Sequence, residues 1–103
     1  MRIAIGSDHA GLGLKERLAS RLTAAGHELA DPAPSVESRA RADYAEQVAL
    51  SVLRRDAERG IILTSRGVGA SVTANRVPGI RAALCNDAYS ACLGAKAEGM
   101  NVL

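Results

Sequence analysis

Short apolar runs alternate with longer amphipathic segments along the whole chain. The apolar runs begin near residues 2, 27, 60, 79 and 101, and a helical pattern follows each of the first four. Strands and helices in alternation are typical of a parallel β-sheet that carries helices on both faces. The sequence therefore predicts an α/β fold of three layers, αβα, with a parallel sheet of about five strands.

Two helices are predicted from the spacing of their apolar residues. Leucines recur every fourth residue from Leu14 to Leu22, which indicates an amphipathic helix that ends at Gly26. A longer helix begins at or near Asp43. Its apolar face consists of Tyr44, Ala45, Val48, Ala49, Val52 and Leu53. The polar segment Glu37–Ala42 before this helix is expected at the surface.

The stretch Gly60–Asn75 has the strongest functional pattern. Its apolar run Ile61–Leu63 predicts a buried strand, and Gly67 and Gly69 permit a sharp turn before a helix over Ala70–Asn75. Such a loop presents free backbone N–H groups at a helix N-terminus, where the helix dipole favours an anion. The same pattern also occurs in ordinary tight connections. Taken alone, it is compatible with a phosphate or oxyanion site and with a purely structural turn.

Chemically active residues concentrate in the loops that follow the predicted strands. In parallel sheets, ligands bind at the carboxyl ends of the strands. Three loops are expected at that edge, namely Ser7–Gly11, Thr64–Gly69 and Cys85–Asp87. Within the third loop, Asp87 is expected to cap the following helix rather than to act as a base.

Composition and charge narrow the class of protein. At 103 residues the chain is expected to form a single domain, residues 1–103, with an ordinary globular content of 48% hydrophobic residues. A net charge of +2 and the absence of Phe and Trp argue against nucleic-acid binding. No signal peptide or membrane-spanning run is found, so a cytoplasmic location is expected. Cys85 and Cys92 form no metal-binding pattern, and no metal site is expected.

Several segments together resemble the ribose-5-phosphate isomerase B family, which includes the galactose-6-phosphate isomerase subunits. They are IAIGSDHAG, DYAEQVA, GVGASVTANRVPGIRAALCNDAYSA and the closing NVL. The resemblance runs from end to end of the chain, and it implies a Rossmann-like fold and a homodimer or homotetramer. Members of this family interconvert aldose and ketose sugar phosphates, such as ribose 5-phosphate and ribulose 5-phosphate, through an enediolate and without a cofactor.

The resemblance also assigns roles to individual residues. Asp8 and His9 would bind the hydroxyls and the ring of the sugar. The loop that binds substrate and stabilises the enediolate oxygen would consist of Ser65, Arg66, Gly67, Val68 and Gly69. Glu98 follows the position of the family's ring-opening histidine, which is Ala97 here, and is a further substrate-binding candidate.

The chain departs from the family at the positions that carry the chemistry. Thr64 stands where many members have a cysteine base, and Ala70 stands where another branch has a glutamate. Ser65-Arg66 replaces the usual Gly-Thr of the loop. The hydroxyl of Thr64 is a poor base unless a neighbouring group activates it. His9 becomes the best remaining acid. The catalytic candidates are therefore Thr64, Ser65 and His9, with Asp8 as an alternative base.

Arg66 has three alternative roles. The family continues beyond NVL into a C-terminal helix that supplies phosphate-binding arginines to a neighbouring subunit. Arg66 could take over that task, because a guanidinium binds phosphate in a bidentate manner. It could equally extend into solvent or obstruct the sugar pocket.

Two functions compete at this point. The first is the aldose–ketose isomerisation of a small sugar phosphate. The alternative is a catalytically impaired paralogue, or a partner subunit, that binds a sugar phosphate without turnover, since the family's cysteine, glutamate and histidine are all replaced. A phosphorylated sugar is the expected partner in both cases.

Overall fold

The computed structural model describes residues 1–35, 37 and 43–103. Its strands are β1 (Arg2–Ser7), β2 (Glu28–Ala30) and β3 (Arg59–Leu63). Its helices are α1 (Leu12–Ala24), α2 (Asp43–Leu53), α3 (Val68–Asn75) and α4 (Ala88–Ala97). Among the described residues, no helix has the length and apolar character needed to cross a bilayer. Of the predicted surface segment Glu37–Ala42, Glu37 is exposed and the other residues lie outside the described ones.

β1 is the central strand of a parallel sheet with the order β2-β1-β3. Its residues Ile3, Ala4 and Ile5 are all buried, as expected for a parallel strand that is covered on both faces. The register places Ser7 opposite Leu63, so β1 and β3 end at the same edge of the sheet. The predicted α/β class with a parallel sheet is confirmed.

The prediction of about five strands is wrong, since the sheet has three strands within the described residues. The predicted strands at Gly79–Leu84 and Asn101–Leu103 contribute single parallel bridges, which Val102 makes with Gly60 and with Ala82. Backbone hydrogen bonds connect residues 101–103 to β3 and to residues 81–83, but they do not extend into a longer ladder. The side-chain amides of Asn75 and Asn101 satisfy further backbone groups of residues 79–82.

The apolar face of α2 packs against the sheet much as predicted. Tyr44, Ala45, Val48 and Ala49 are buried, and Val48 belongs to the main core together with Ala4 and Val102. Leu53 is the exception, because it is the last residue of the helix and is 46% exposed.

The predicted apolar face of α1 is wrong at its first position. Leu14 is 57% exposed, and the neighbouring Lys15 is buried instead. The side chain of Lys15 turns inward because its ammonium pairs with the carboxylate of Asp31, which follows β2. The second oxygen of Asp31 accepts a hydrogen bond from the Ala33 amide at 3.0 Å. This ion pair fixes α1 against the end of β2.

Candidate active site

The loops that follow β1 and β3 lie side by side at the carboxyl edge of the sheet. The Asp8 amide, immediately after β1, donates a hydrogen bond to the Leu63 carbonyl at 3.1 Å. The two loops meet because β1 and β3 are parallel neighbours in register. This is the edge at which ligands bind in open parallel sheets.

The carboxylate of Asp8 ties the two loops together. One oxygen, Oδ1, accepts a hydrogen bond from the Gly11 amide at 2.7 Å within its own loop. The other oxygen, Oδ2, accepts from the Thr64 hydroxyl and the Ser65 amide, both at 3.0 Å, and from the Ser65 hydroxyl at 3.4 Å. Asp8 therefore bonds its own loop and also the loop that follows β3.

These hydrogen bonds set the protonation state of Asp8. Burial, the largest single effect, raises the pKa of this carboxyl, but bonds from the Ser65 and Gly11 amides and from the Thr64 and Ser65 hydroxyls together outweigh it. The net result is a pKa below the ordinary value of 3.8. Asp8 is therefore a carboxylate near neutral pH, and it is a weaker base than an ordinary aspartate.

Thr64 is held from two sides. Its hydroxyl donates to Asp8 Oδ2, and the Tyr44 hydroxyl reaches Thr64 Oγ1 at 3.4 Å. Tyr44 lies in the first turn of α2 and is only 5% exposed. The side chain at the end of β3 thus belongs to a chain of hydrogen bonds that runs from Tyr44 through Thr64 to Asp8.

The glycine-bearing loop leaves the start of α3 open to a ligand. Gly67 has φ of 83°, a left-handed conformation that favours glycine, and it precedes the helix without a side-chain cap. The Ser71 amide bonds the Gly67 carbonyl at 2.9 Å. Within the described part of the chain, no hydrogen bond uses the amides of Val68, Gly69 and Ala70. Three free donors and the positive end of the α3 dipole therefore point out of this loop.

A cleft of about 460 Å³ lies beside these loops. From the predicted site residues, Thr64, Ser65 and Gly67 line it. Most of its remaining wall is apolar and comes from α1, from β3 and from residues 82–86 and 102–103. Leu14 and Leu18 of α1 form part of that wall, which accounts for the exposure of Leu14.

Most of the other predicted residues lie at the same edge of the sheet without lining this cleft. Asp8 is half-buried beneath the loops, whereas His9, Arg66, Val68 and Gly69 are exposed at the same edge. Glu98 lies apart from them. It lines a separate groove of about 290 Å³ between α4 and residues 81–85. Cys85 lines both the cleft and this groove.

For two residues of the site, the sequence gives the resemblance but not the contact. Tyr44 belongs to the DYAEQVA segment and to the apolar face of a helix, and nothing in its spacing predicts a contact with Thr64. Gly11 packs so closely that a Cβ atom there would lie 2.5 Å from the Leu63 carbonyl oxygen. A close approach of this kind is not visible in a sequence, although the SDHAG segment contains the glycine.

The donors and charges of this edge suit an anion. In the described residues, no group of three or more His, Cys, Asp or Glu side chains could hold a metal ion. The free amides at the start of α3 and the exposed guanidinium of Arg66 are the groups suited to a phosphate or to an oxyanion.

Comparison with known proteins identifies close relatives. Ribose-5-phosphate isomerase B of Escherichia coli is 40% identical over 103 residues, which cover 99% of this chain and 69% of that protein. The D-erythrulose-4-phosphate isomerase of Pectobacterium atrosepticum is 35% identical over 105 residues, with 100% and 69% covered. These relatives therefore include isomerases of two different sugar phosphates.

The fold agrees with the same relationship. Ribose-5-phosphate isomerase B of Clostridium thermocellum superimposes with a TM-score of 0.91 at 39% identity, over 100% of this chain and 70% of that one. The family model described as Ribose/Galactose Isomerase matches residues 3–103. The chain therefore belongs to the ribose/galactose isomerase family.

Proposed function

We propose that this protein isomerises a small sugar phosphate between its aldose and ketose forms, in the manner of ribose 5-phosphate and ribulose 5-phosphate, through an enediolate. The observation that carries this proposal is the match to ribose-5-phosphate isomerase B over nearly the whole chain. The match includes both loops that Asp8 joins. The geometry supports it, because the loops place anion donors beside a cleft of suitable size.

The start of α3 is suited to hold the negative charge of the substrate. The free amides of Val68, Gly69 and Ala70 would donate to the enediolate oxygen or to the phosphate. Arg66 is exposed at the same edge and would contribute a charged, bidentate donor to the phosphate. His9 is the proposed acid for opening the sugar ring.

Thr64 is the proposed base, with Ser65 as the alternative. Both residues line the cleft, and both hydroxyls contact Asp8 Oδ2. As the hydroxyl oxygen takes the proton from C2 of the aldose, its own proton passes to Asp8, and the reverse transfer returns a proton to C1. The proton of the C2 hydroxyl passes to the C1 oxygen in the same interconversion, so that C2 becomes the carbonyl. The lowered pKa of Asp8 makes it a weak acceptor, so we expect slow turnover.

The test is to incubate the purified protein with ribose 5-phosphate in deuterated water and to follow both sugars by NMR. We expect ribulose 5-phosphate to form and solvent deuterium to enter at the carbon that receives the proton. D-erythrulose 4-phosphate in a parallel incubation tests a shorter sugar. Binding of both sugars, seen as a raised melting temperature, without product or exchange would instead favour the impaired paralogue.

We also propose a homodimer or homotetramer in the cytoplasm. The support is a set of exposed leucines beside the cleft and the neighbouring groove: Leu14, Leu84 and Leu93 are 57%, 49% and 45% exposed. Sedimentation analysis over a range of concentrations tests the assembly, and a monomer throughout would contradict it. Purification from the native source would reveal a paralogous partner subunit, and fractionation of the same cells would test the location.

A further inference from the structure

The hydroxyl of Tyr44 has an unusual position for a core tyrosine. The residue is 5% exposed and packs in a small cluster with Ala33, Ala45 and Ala70. A buried tyrosine hydroxyl requires a hydrogen-bond partner. Among the described residues, its partner is Thr64, at 3.4 Å.

The direction of these hydrogen bonds follows from the proton inventory. Asp8 is a carboxylate and can only accept, so the Thr64 hydroxyl must donate its proton to Asp8 Oδ2. Thr64 then has no proton left for Tyr44 and can only accept from it. Tyr44 is therefore the donor, and one lone pair of Thr64 Oγ1 remains unused.

We propose that Tyr44 is a positioning residue for the isomerisation: its hydroxyl, buried behind Thr64, holds the Thr64 oxygen so that the unused lone pair faces the cleft. This inference rests on the proposed function. Thr64 lines the cleft, whereas Tyr44 does not, so Tyr44 acts on the sugar through Thr64. The hydroxyl of Tyr44 also stabilises the negative charge that builds on the Thr64 oxygen as the oxygen's own proton moves towards Asp8.

The length of the Tyr44–Thr64 hydrogen bond indicates whether its loss should affect catalysis or folding. At 3.4 Å it is longer than an ordinary O–H···O hydrogen bond, so its contribution to folding is small. Hydrogen bonds at catalytic groups tighten in the reacting complex. We therefore expect Tyr44 to affect kcat more than KM or the melting temperature.

The chain contains only two tyrosines, which provides a matched control. Tyr44→Phe removes the buried hydroxyl, and Tyr89→Phe removes a hydroxyl from a side chain that is 76% exposed. We expect Tyr44→Phe to lower kcat for ribose 5-phosphate by about tenfold, with KM changed less than about twofold. Tyr89→Phe should leave both constants unchanged.

A second pair of variants separates positioning from general packing. In a Thr64→Val chain, the residual deuterium exchange would come from Ser65, the alternative base, and removal of the Tyr44 hydroxyl should cause no further loss in that residual rate. A structural role would reduce that rate by the same factor in both backgrounds. Equal losses in both backgrounds, or a kcat for Tyr44→Phe equal to that of the wild type, would overturn the proposal.

A chemical variant covers the case in which Tyr44→Phe does not fold. In the Tyr89→Phe chain, Tyr44 is the sole tyrosine, so 3-fluorotyrosine supplied during expression labels that position alone. Fluorine makes the phenol a stronger hydrogen-bond donor, and we expect a changed kcat and a shifted pH profile. An unchanged kcat and profile would refute the role of Tyr44. A wild-type chain that isomerises no sugar would instead refute the proposed function, and the role of Tyr44 with it.

Discussion

At the scale of single residues, the carboxylate of Asp8 connects two parts of the chain that are far apart in sequence. It bonds Gly11 on one side and Thr64 and Ser65 on the other, so a single side chain links the loop after β1 to the loop after β3. Charged acceptors form stronger hydrogen bonds than neutral ones. The charge on Asp8 therefore contributes to stability as well as to the site.

This charge predicts how stability depends on pH. The folded pKa of Asp8 lies below the ordinary value of 3.8, so the unfolded chain binds more protons between the two values. Stability from Asp8 is therefore complete above that ordinary value and is lost as the pH falls through the lowered folded pKa. Urea unfolding from pH 6 to pH 2.5 should show a smaller acid loss for Asp8→Asn than for the wild type.

Asp87 supplies the comparison for that experiment. Backbone and side-chain hydrogen bonds from Ser90, which this residue accepts as the cap of α4, lower its pKa as well. Asp87→Asn should therefore remove a separate part of the acid loss. An Asp8→Asn profile parallel to that of the wild type would contradict the assignment of charge-dependent bonds to Asp8.

Gly69 allows the amide site to be probed without damage to the fold. A Cβ atom at Gly69 would meet nothing within 4 Å, and the same holds for Gly13, which is likewise the second residue of its helix. If the substrate approaches the amides of α3, the methyl group of Gly69→Ala should lower kcat/KM by about 100-fold with no loss of melting temperature. Gly13→Ala should keep full activity. Equal activity of the two variants would place the substrate elsewhere.

Thr64 permits a test by gain of function. A thiol has a pKa of about 8.5, so Thr64→Cys supplies a far better base than a hydroxyl at the same place. We expect kcat for ribose 5-phosphate to rise by about tenfold or more. The control is Thr73→Cys. Thr73 lies in α3, the helix that follows the glycine-bearing loop, and it does not line the cleft. A similar change in both variants would mean that the end of β3 is not where the proton is taken.

At the scale of secondary-structure elements, α1 is placed by a buried charge. The side chain of Lys15 is only 10% exposed, and that of Asp31 is 23% exposed. A buried ammonium without its partner is more costly than the absence of the pair. The ion pair therefore determines which face of α1 packs on the sheet, against the preference of Leu14.

A comparison of one single and one double variant tests this account. Asp31→Ala leaves the ammonium of Lys15 buried and unpaired, and we expect a loss of about 3 kcal/mol in the free energy of unfolding. Lys15→Met combined with Asp31→Asn removes both charges and keeps an acceptor for the Ala33 amide, so the loss should be about 1 kcal/mol or less. Urea unfolding at neutral pH measures both. A larger loss for the double variant would show that the pair itself, rather than the isolated charge, dominates.

At the scale of the whole molecule, the features that follow from local patterns were predictable. The apolar runs and the turn residues indicated the parallel sheet, and parallel strands bring their exit loops together, so the meeting of Asp8 with Thr64–Ser65 followed from topology. The cap at Asp87 followed from residue type alone. These inferences need only the chain itself and the geometry of regular elements.

The features that the sequence did not reveal depend on side chains reaching across the fold. Asn75 and Asn101 bond backbone groups of the segment predicted as the fourth strand. Asp31 draws Lys15 inward over 16 positions of sequence, and Tyr44 meets Thr64 over 20 positions. In each case, the outcome depends on the identity of one polar partner, which a single sequence does not specify.

Val102 joins the wall of the cleft to the core of the molecule. Within the described residues it bridges both β3 and Ala82, it is 1% exposed, and Leu103 beside it lines the cleft. Backbone hydrogen bonds connect residues 101–103 to Gly60, Ile62 and Ala83. Amides that are bonded and buried in this way should exchange slowly with solvent hydrogen. A sugar would therefore rest against a firm wall, and its entry and departure would depend on the exposed loops on the opposite side.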